Sequence, residues 1–302
     1  MATKKSTVDS NTSFTANNLK LDEIINLYEI QYEELPDKKI VRSENDLSTI
    51  DVDSKRALPF DKLLTEEERN LFRKDFKRLL LDLPLKYVQS MSEIVGILMY
   101  FHYTRNRLRG SLVSLEEREN TTSAVNFEYK TRQKTSLYDP ELYIIMLRTI
   151  YNILLNKYTP LIADEFKLYI HYNNVFLKLM KKRGKKVSST KSMVYTNSTL
   201  TWFNRSLDNM EDIYRIFAMI ISCPLNSVFL FLIHYFDEID NKKKIKLNEA
   251  QIITKLIDLE QEFIRIEEEK EKPSTMKKSL AFAFATGAVI TGAILFNHFN
   301  RK

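Results

Sequence analysis

The sequence predicts an all-α protein: a bundle of about ten helices followed by a single C-terminal transmembrane helix. Of the 302 residues, only 5 are glycine and 7 are proline, so few turns interrupt the chain. Apolar residues make up 44%, enough for a core, and Tyr (15) and Phe (18) are abundant. Long helices with few turns fit this composition, whereas folds built from many short strands need more turn residues.

Ten segments show the apolar spacing, capping residues or boundary prolines that are typical of helices. They are residues 19–32, 50–58, 65–83, 90–103, 139–157, 160–180, 200–207, 210–221, 225–236 and 248–271. Pro59 is expected to end the second segment, because proline cannot continue a helix. Thr65 with Glu68 predicts a capping box, and Asp139 precedes a proline at another helix start. Polar segments are expected to be loops at 38–48, 104–136 and 181–191.

This order divides the chain into four parts. Residues 1–18 are rich in Ser, Thr, Asn and Lys and are expected to be disordered. Residues 19–240 form the helical domain, and residues 241–272 form a charged amphipathic helix that could act as a stalk. Residues 279–296 form the membrane anchor.

The predicted anchor, 279–296, carries no charge and as a helix spans about 27 Å, which suits a bilayer core. Lys277 and Lys278 precede it, and Arg301 and Lys302 follow. We therefore expect a tail-anchored protein whose preceding residues face the cytosol, with a buried core helix as the alternative. Moderate hydrophobicity between basic flanks favours the endoplasmic reticulum, with the mitochondrial outer membrane as the alternative.

Composition excludes several kinds of site. The single cysteine, Cys223, rules out a disulfide framework and a cysteine-rich metal site. The histidines lack the spacing of zinc ligands: His102, His171, His234 and His298. Five glycines are too few for a glycine-rich phosphate-binding loop, so we expect the chain to have no nucleotide or metal site of its own. The net charge of +6 is weak evidence for nucleic-acid binding and equally suits an anionic membrane or a GTPase surface.

One seven-residue pattern occurs twice: an apolar residue, then aspartate at the fourth position and arginine at the seventh. The members are Ile50, Asp53 and Arg56 in the first copy, and Phe72, Asp75 and Arg78 in the second. On a helix, residues three apart share a face, so Asp53 can orient the Arg56 guanidinium while Ile50 lies in the core. Either copy taken singly is more typical of a solvated ion pair than of a functional site.

A second motif is Tyr87-Val88-Gln89-Ser90-Met91. Tyr87 is expected to pack inward, and Gln89 precedes the predicted helix 90–103. A glutamine amide both donates and accepts hydrogen bonds, so it can hold a water, and a guanidinium suits phosphate oxygens. Phosphoryl transfer to water needs those two groups and little covalent chemistry. Taken alone, Gln89 is more typical of an ordinary capping or surface residue than of a functional one.

Together the two motifs resemble the TBC domain, the catalytic domain of Rab GTPase-activating proteins. That family carries Ile-x-x-Asp-x-x-Arg and, after an intervening helix, Tyr-x-Gln-Gly-Met. Arg56 lies 33 residues before Gln89, with the predicted helix 65–83 between them, whereas Arg78 lies only 11 residues before it. The spacing therefore selects Arg56 over Arg78.

Two later segments extend the resemblance. Residues 199–203, which contain Trp202, and residues 213–217 are similar to the family's Leu-x-Trp-Phe and Arg-Ile-Phe helices. The resemblance covers about residues 50–235 and is nearest to the small tail-anchored members, which act on Rab GTPases of the early secretory pathway.

The resemblance implies a TBC-type helical bundle that activates a partner rather than a stand-alone hydrolase. Arg56 would be the arginine finger and Gln89 the glutamine finger, both entering the partner's site in trans. Ile50, Asp53 and Tyr87 would support them. The implied partner is a Rab-family GTPase in its GTP state, which carries GTP and Mg²⁺, so the chain needs no cofactor of its own. The bilayer is the second implied partner, and nucleic acid is not one.

Three positions depart from the family pattern. Ser90 stands where the family has glycine, and Ala218 where it usually has aspartate. The chain before Ile50 also lacks the family's opening segment with arginine and tryptophan. These departures keep an alternative open, a non-catalytic tail-anchored helical adaptor that binds a Rab or another partner. An activator requires Arg56 and Gln89 on one exposed face, whereas an adaptor does not.

Overall fold

The computed structural model describes residues 20–30, 34–36, 40–56, 64–120, 136–247 and 249–269, with the side chains of 108–120 and 249–251 left undescribed. Within these ranges the chain is all-α, with eleven α-helices, two short 3₁₀ helices and no strand. The segments predicted to be disordered (1–18) and to span the membrane (279–296) lie outside the described residues. No helix in the described part combines the length and apolar character that crossing a membrane requires.

The α-helices are numbered in chain order. Their bounds are α1 Leu21–Ile30, α2 Glu44–Arg56, α3 Glu66–Asp82, α4 Met91–Asn120, α5 Pro140–Lys157, α6 Thr159–Lys182, α7 Ser192–Leu200, α8 Met210–Ser222, α9 Ser227–His234, α10 Phe236–Asp240 and α11 Glu249–Glu268. The two 3₁₀ helices are Ser189–Lys191 and Asn204–Ser206.

The chain up to Phe263 forms one compact unit, and a second unit begins at Ile264 with the end of α11. The core of the first unit is rich in aromatic side chains. Helix α9 is buried at every position from Ser227 to Ile233. A helix that is apolar on all sides is a central element of a helical bundle, so α9 is surrounded by the other helices.

Two predicted helix starts are confirmed by their capping bonds. The Thr65 side chain accepts from the Glu68 amide at 3.2 Å, and the Glu68 carboxylate accepts from the Thr65 amide at 2.9 Å, so the capping box opens α3. At α5, the Asp139 carboxylate accepts from the amides of Glu141 and Leu142, each at 2.9 Å. Each cap satisfies amide groups that the first helical turn leaves unpaired.

The loop predicted at 38–48 is wrong from residue 44 onward, because α2 begins at Glu44 rather than at Ile50. Ser43 and Asp46 cap its start reciprocally. The Ser43 hydroxyl accepts from the Asp46 amide at 3.1 Å, and the Asp46 carboxylate accepts from the Ser43 amide at 3.3 Å. This short-range capping extends the helix over residues that have little apolar periodicity.

The loop predicted at 104–136 is wrong for residues 104–120, because α4 continues to Asn120. Within this stretch, Arg105 is not a solvated loop residue. Arg105 is 8% exposed and pairs with Asp22 at 2.7 Å and with Glu29 at 2.8 Å, both on α1. Charged partners that are distant in sequence satisfy this face of the helix.

The helix predicted at 200–207 is also wrong. Helix α7 ends at Leu200, and Trp202 and Phe203 follow with φ of 49° and 61°. Both side chains are fully buried, and the Trp202 ring packs edge-on against Phe217 of α8 at 5.0 Å. Bulky residues with positive φ are strained, so burial of the two rings offsets the strain in this turn.

Helix α11 is amphipathic, as predicted for 241–272, but the stalk interpretation does not hold for its part in the first unit. Ile252, Leu256, Leu259 and Phe263 are all buried, and the Phe263 ring lies 5.8 Å from that of Tyr172 on α6. A solvated stalk would expose this apolar face. The helical domain therefore extends beyond residue 240, to Phe263.

Candidate functional site

The last two turns of α2 carry the first motif. Ile50 is fully buried and Asp53 is 5% exposed, whereas Arg56, the last residue of the helix, is exposed. Ile50 and Asp53 are three residues apart, so both lie on the inner face of α2. Arg56, three residues further on, lies at the edge of that face. The helix therefore buries a carboxylate next to an exposed guanidinium.

The connection from α3 to α4 carries the second motif. Tyr87 is buried, whereas Gln89 is exposed in a turn immediately before α4. Two backbone hydrogen bonds hold the turn. The Met91 amide donates to the Val88 carbonyl at 2.8 Å, and the Ser92 amide donates to the Gln89 carbonyl at 3.2 Å. The Ser92 hydroxyl also donates to the Gln89 carbonyl, at 2.7 Å. Gln89 is thus an exposed side chain on a hydrogen-bonded backbone.

Asp53 joins the two motifs. Its carboxylate accepts a hydrogen bond from the Tyr87 hydroxyl at 2.5 Å, across 34 residues of sequence, and the side chain of Gln89 acts to lower the pKa of this carboxyl. The charge of Arg56 also acts on it. Asp53 is therefore bonded to Tyr87, and both side chains predicted as fingers influence its pKa.

Burial raises the pKa of Asp53, and the hydrogen bonds from Tyr87 and Gln89 and the charge of Arg56 act against that rise. Glu93 raises this pKa further through like-charge repulsion. Burial and the bond to Asp53 also raise the pKa of Tyr87 well above its ordinary value, so Tyr87 stays protonated and remains a donor.

Ser90 fits its position without backbone strain, because it is not among the described residues with positive φ. Its hydroxyl shares a hydrogen bond of 2.5 Å with the hydroxyl of Tyr158, at the end of α5. A glycine could not make that bond. Ala218, the second departure, is 3% exposed on α8.

Two charged residues at this site were not predicted. Glu93 lies one turn into α4 and binds the Arg205 guanidinium side-on, with the Arg205 Nε at 2.8 Å from Glu93 Oε2 and the arginine Nη2 on the other oxygen. The side chain of Glu93 is 18% exposed and that of Arg205 is 69% exposed. Arg205 follows the Trp202–Phe203 turn and lies in the short 3₁₀ helix Asn204–Ser206. The spacing of Gln89 and Glu93 by one helical turn was the available signal for Glu93.

The site offers an exposed guanidinium, which suits phosphate or carboxylate oxygens, and an exposed amide, which both donates and accepts hydrogen bonds. No group of three or more potential metal ligands occurs among the residues that the structure describes.

A comparison with curated proteins finds a distant relative. The chain is 28% identical over 306 residues to an uncharacterized membrane protein of Encephalitozoon cuniculi (strain GB-M1). The match covers 94% of this chain and 99% of that protein. No protein-family model matches the chain, and no solved structure matches it.

Proposed function

We propose that this protein is a GTPase-activating protein for a Rab-family small GTPase and works from the cytosolic face of a membrane. The observation that carries the proposal is the hydrogen bond from Tyr87 to the buried carboxylate of Asp53, which ties the segment that carries Gln89 to the end of α2, where Arg56 lies. Both finger residues are exposed, Arg56 at the end of α2 and Gln89 in the turn before α4. An adaptor has no need for this convergence.

The proposed division of labour follows from the two side chains. Arg56 would enter the partner's site and stabilise the charge that develops on the transferred phosphoryl group, which is worth roughly 10³–10⁵ in rate. Gln89 would orient the attacking water, because its amide can donate to one group and accept from another. Asp53 and Tyr87 would support both finger residues, and Ile50 would fix α2 against the core. The partner supplies GTP and Mg²⁺.

Membrane attachment is the second part of the proposal. The uncharged segment 279–296 would anchor the chain, with the endoplasmic reticulum favoured and the mitochondrial outer membrane as the alternative. The relative is named a membrane protein, and the match leaves only about 18 residues of this chain outside it. At least part of the segment is therefore within the matched length. Imaging a fluorescent fusion to residues 272–302 would identify the membrane, and a diffuse cytosolic signal would contradict the anchor.

A GTPase panel tests the activity. The full chain, reconstituted in liposomes, is mixed with individual GTP-loaded Rab proteins and with a Ras protein as control, and phosphate release is followed. We expect at least one Rab to hydrolyse GTP roughly 10³-fold faster or more, with the Ras control unchanged. Binding of a GTP-loaded Rab with no acceleration would replace the proposal with the adaptor.

A further inference from the structure

The connection between α3 and α4 leaves backbone carbonyls that its own amides cannot satisfy. At the end of α3, the Leu83 amide donates to the Leu79 carbonyl at 3.0 Å. The next carbonyl, that of Leu80, would need an amide at residue 84, but Pro84 has no N–H. Leu83 has an extended backbone, and both Leu83 and Leu85 are buried on the way to Tyr87.

Arg42 supplies the missing donors. Its Nη2 donates to the Leu80 carbonyl at 3.1 Å and to the Leu83 carbonyl at 2.6 Å, and its Nη1 donates to the Leu85 carbonyl at 2.6 Å. One planar guanidinium therefore bridges the last turn of α3 and the residues that lead to Tyr87. A fork of rigidly arranged donors suits this task better than the single ammonium of a lysine.

Arg42 also stands next to Ser43, the residue that caps α2. Helix α2 is thus tied to the same connection at both ends, by Arg42 before its first turn and by the bond from Tyr87 to Asp53 in its last. Two ties fix the orientation of a helix, whereas one leaves a pivot. The relative position of Arg56 and Gln89 depends on that orientation.

We infer that Arg42 is a positioning residue, which sets where Gln89 lies relative to the end of α2 by holding the carbonyls of Leu80, Leu83 and Leu85. That Gln89 acts on a partner's GTP rests on the proposed function; the positioning itself does not. This role requires no contact between Arg42 and the partner or its nucleotide.

Hydrogen exchange of the full chain tests the positioning without any GTPase. The probes are the amides of Met91 and Ser92, which close the turn that carries Gln89. We expect Arg42→Ala to speed their exchange about tenfold or more, and Arg42→Lys to give an intermediate increase. The matched control is Arg69→Ala, which removes an arginine whose Nη2 donates to the Leu64 carbonyl at 3.3 Å at the opposite end of α3. It should leave both probe amides nearly unchanged.

Kinetics with the activated GTPase then separates positioning from general destabilisation. We expect Arg42→Ala to lower kcat about tenfold or more while KM for the GTPase changes by less than about twofold, with Arg42→Lys recovering part of kcat and Arg69→Ala keeping the wild-type value. If Arg42→Ala does not fold, the same comparisons are made with Arg42→Lys.

Equal exchange at Met91 and Ser92 in the Arg42 and Arg69 variants would overturn the inference. A wild-type chain that activates no GTPase would refute the proposed function, and the exchange result would still decide the role of Arg42.

Discussion

Helices α2 and α3 carry the same seven-residue pattern, and in both the side chains are placed alike. The apolar residues Ile50 and Phe72 are fully buried, Asp53 and Asp75 are 5% and 2% exposed, and both arginines are exposed. The helix alone therefore decides which positions face the core. What distinguishes the two copies is the segment that each aspartate meets.

Asp53 meets the connection that carries Tyr87 and Gln89, whereas Asp75 meets the start of the segment before α5. The Asp75 carboxylate accepts from the Ser136 hydroxyl at 2.9 Å and from the Leu137 amide at 2.8 Å. Its arginine, Arg78, is held on the surface by other groups. The same local pattern therefore forms either a structural contact or a candidate site, depending on which distant segment its aspartate contacts.

The surroundings of Arg78 show what a structural arginine looks like in this fold. Its guanidinium lies 4.1 Å from the centre of the Tyr143 ring, and its Nε lies 3.4 Å from the Asp82 carboxylate. The Tyr143 hydroxyl donates to the same carboxylate at 2.7 Å. This cluster ties α3 to α5.

The largest expected effect separates the two arginines. Arg56→Ala should reduce stimulated GTP hydrolysis roughly 10³-fold or more, because the charge that stabilises the transferred phosphoryl group is lost. Arg78→Ala should stay within about twofold of wild type in activity and lose only about 0.5–1 kcal/mol of stability with its ring contact. Phosphate release and thermal unfolding measure the two quantities. Equal activity loss in both variants would remove the distinction drawn between the two helices.

The second prediction concerns Gln89. Gln89→Ala should lower the stimulated rate roughly 10²-fold while the affinity for the GTP-loaded partner is retained, since the side chain is exposed and its turn is held by backbone bonds. Titration of binding against a non-hydrolysable GTP complex gives the affinity, and single-turnover hydrolysis gives the rate. If binding is lost together with the rate, Gln89 belongs to the docking surface and not to the chemistry.

The third prediction compares the two aspartates through the same isosteric change. Asp53→Asn should lower activity about tenfold, because an amide cannot hold the Arg56 charge as a carboxylate does. Asp75→Asn should leave activity unchanged, since its partners lie at Ser136 and Leu137. Both variants should keep the helical content of the wild type by circular dichroism. A matching loss of activity in the two variants would mean that Asp53, like Asp75, only holds the fold.

The sequence predicts part of this arrangement and misses the rest for identifiable reasons. The caps at Thr65 and Asp139 are short-range features, so they could be predicted, and the spacing of Arg56 and Gln89 around a helix could be read from the motifs. The contacts of Arg42 with three carbonyls and of Glu93 with Arg205 join segments that are distant in sequence, and no local pattern announces them. The extension of α4 to Asn120 was missed because its polar residues resemble a loop until Arg105 is seen to pair with α1.

The smallest expected effect is a pH dependence that belongs to Asp53 alone. Because burial raises its pKa in the folded protein above the ordinary value of 3.8, the folded state binds this proton more tightly than the unfolded state does. As pH falls through the raised pKa, Asp53 gains a proton: the penalty of burying its charge is relieved, while its hold on Arg56 weakens. Stability and activity should therefore move in opposite directions, with stimulated hydrolysis falling severalfold on the acid side.

Other carboxylates oppose the stability trend, such as Asp51, whose hydrogen bonds from Lys55 and Lys77 lower its pKa to about 2. The measurement is therefore the difference between wild type and Asp53→Asn in unfolding midpoint and in rate across the same pH series. Wild type and Asp75→Asn should share the acid fall in rate, and Asp53→Asn should lack it; an identical fall in all three would assign the titration to a group outside this site.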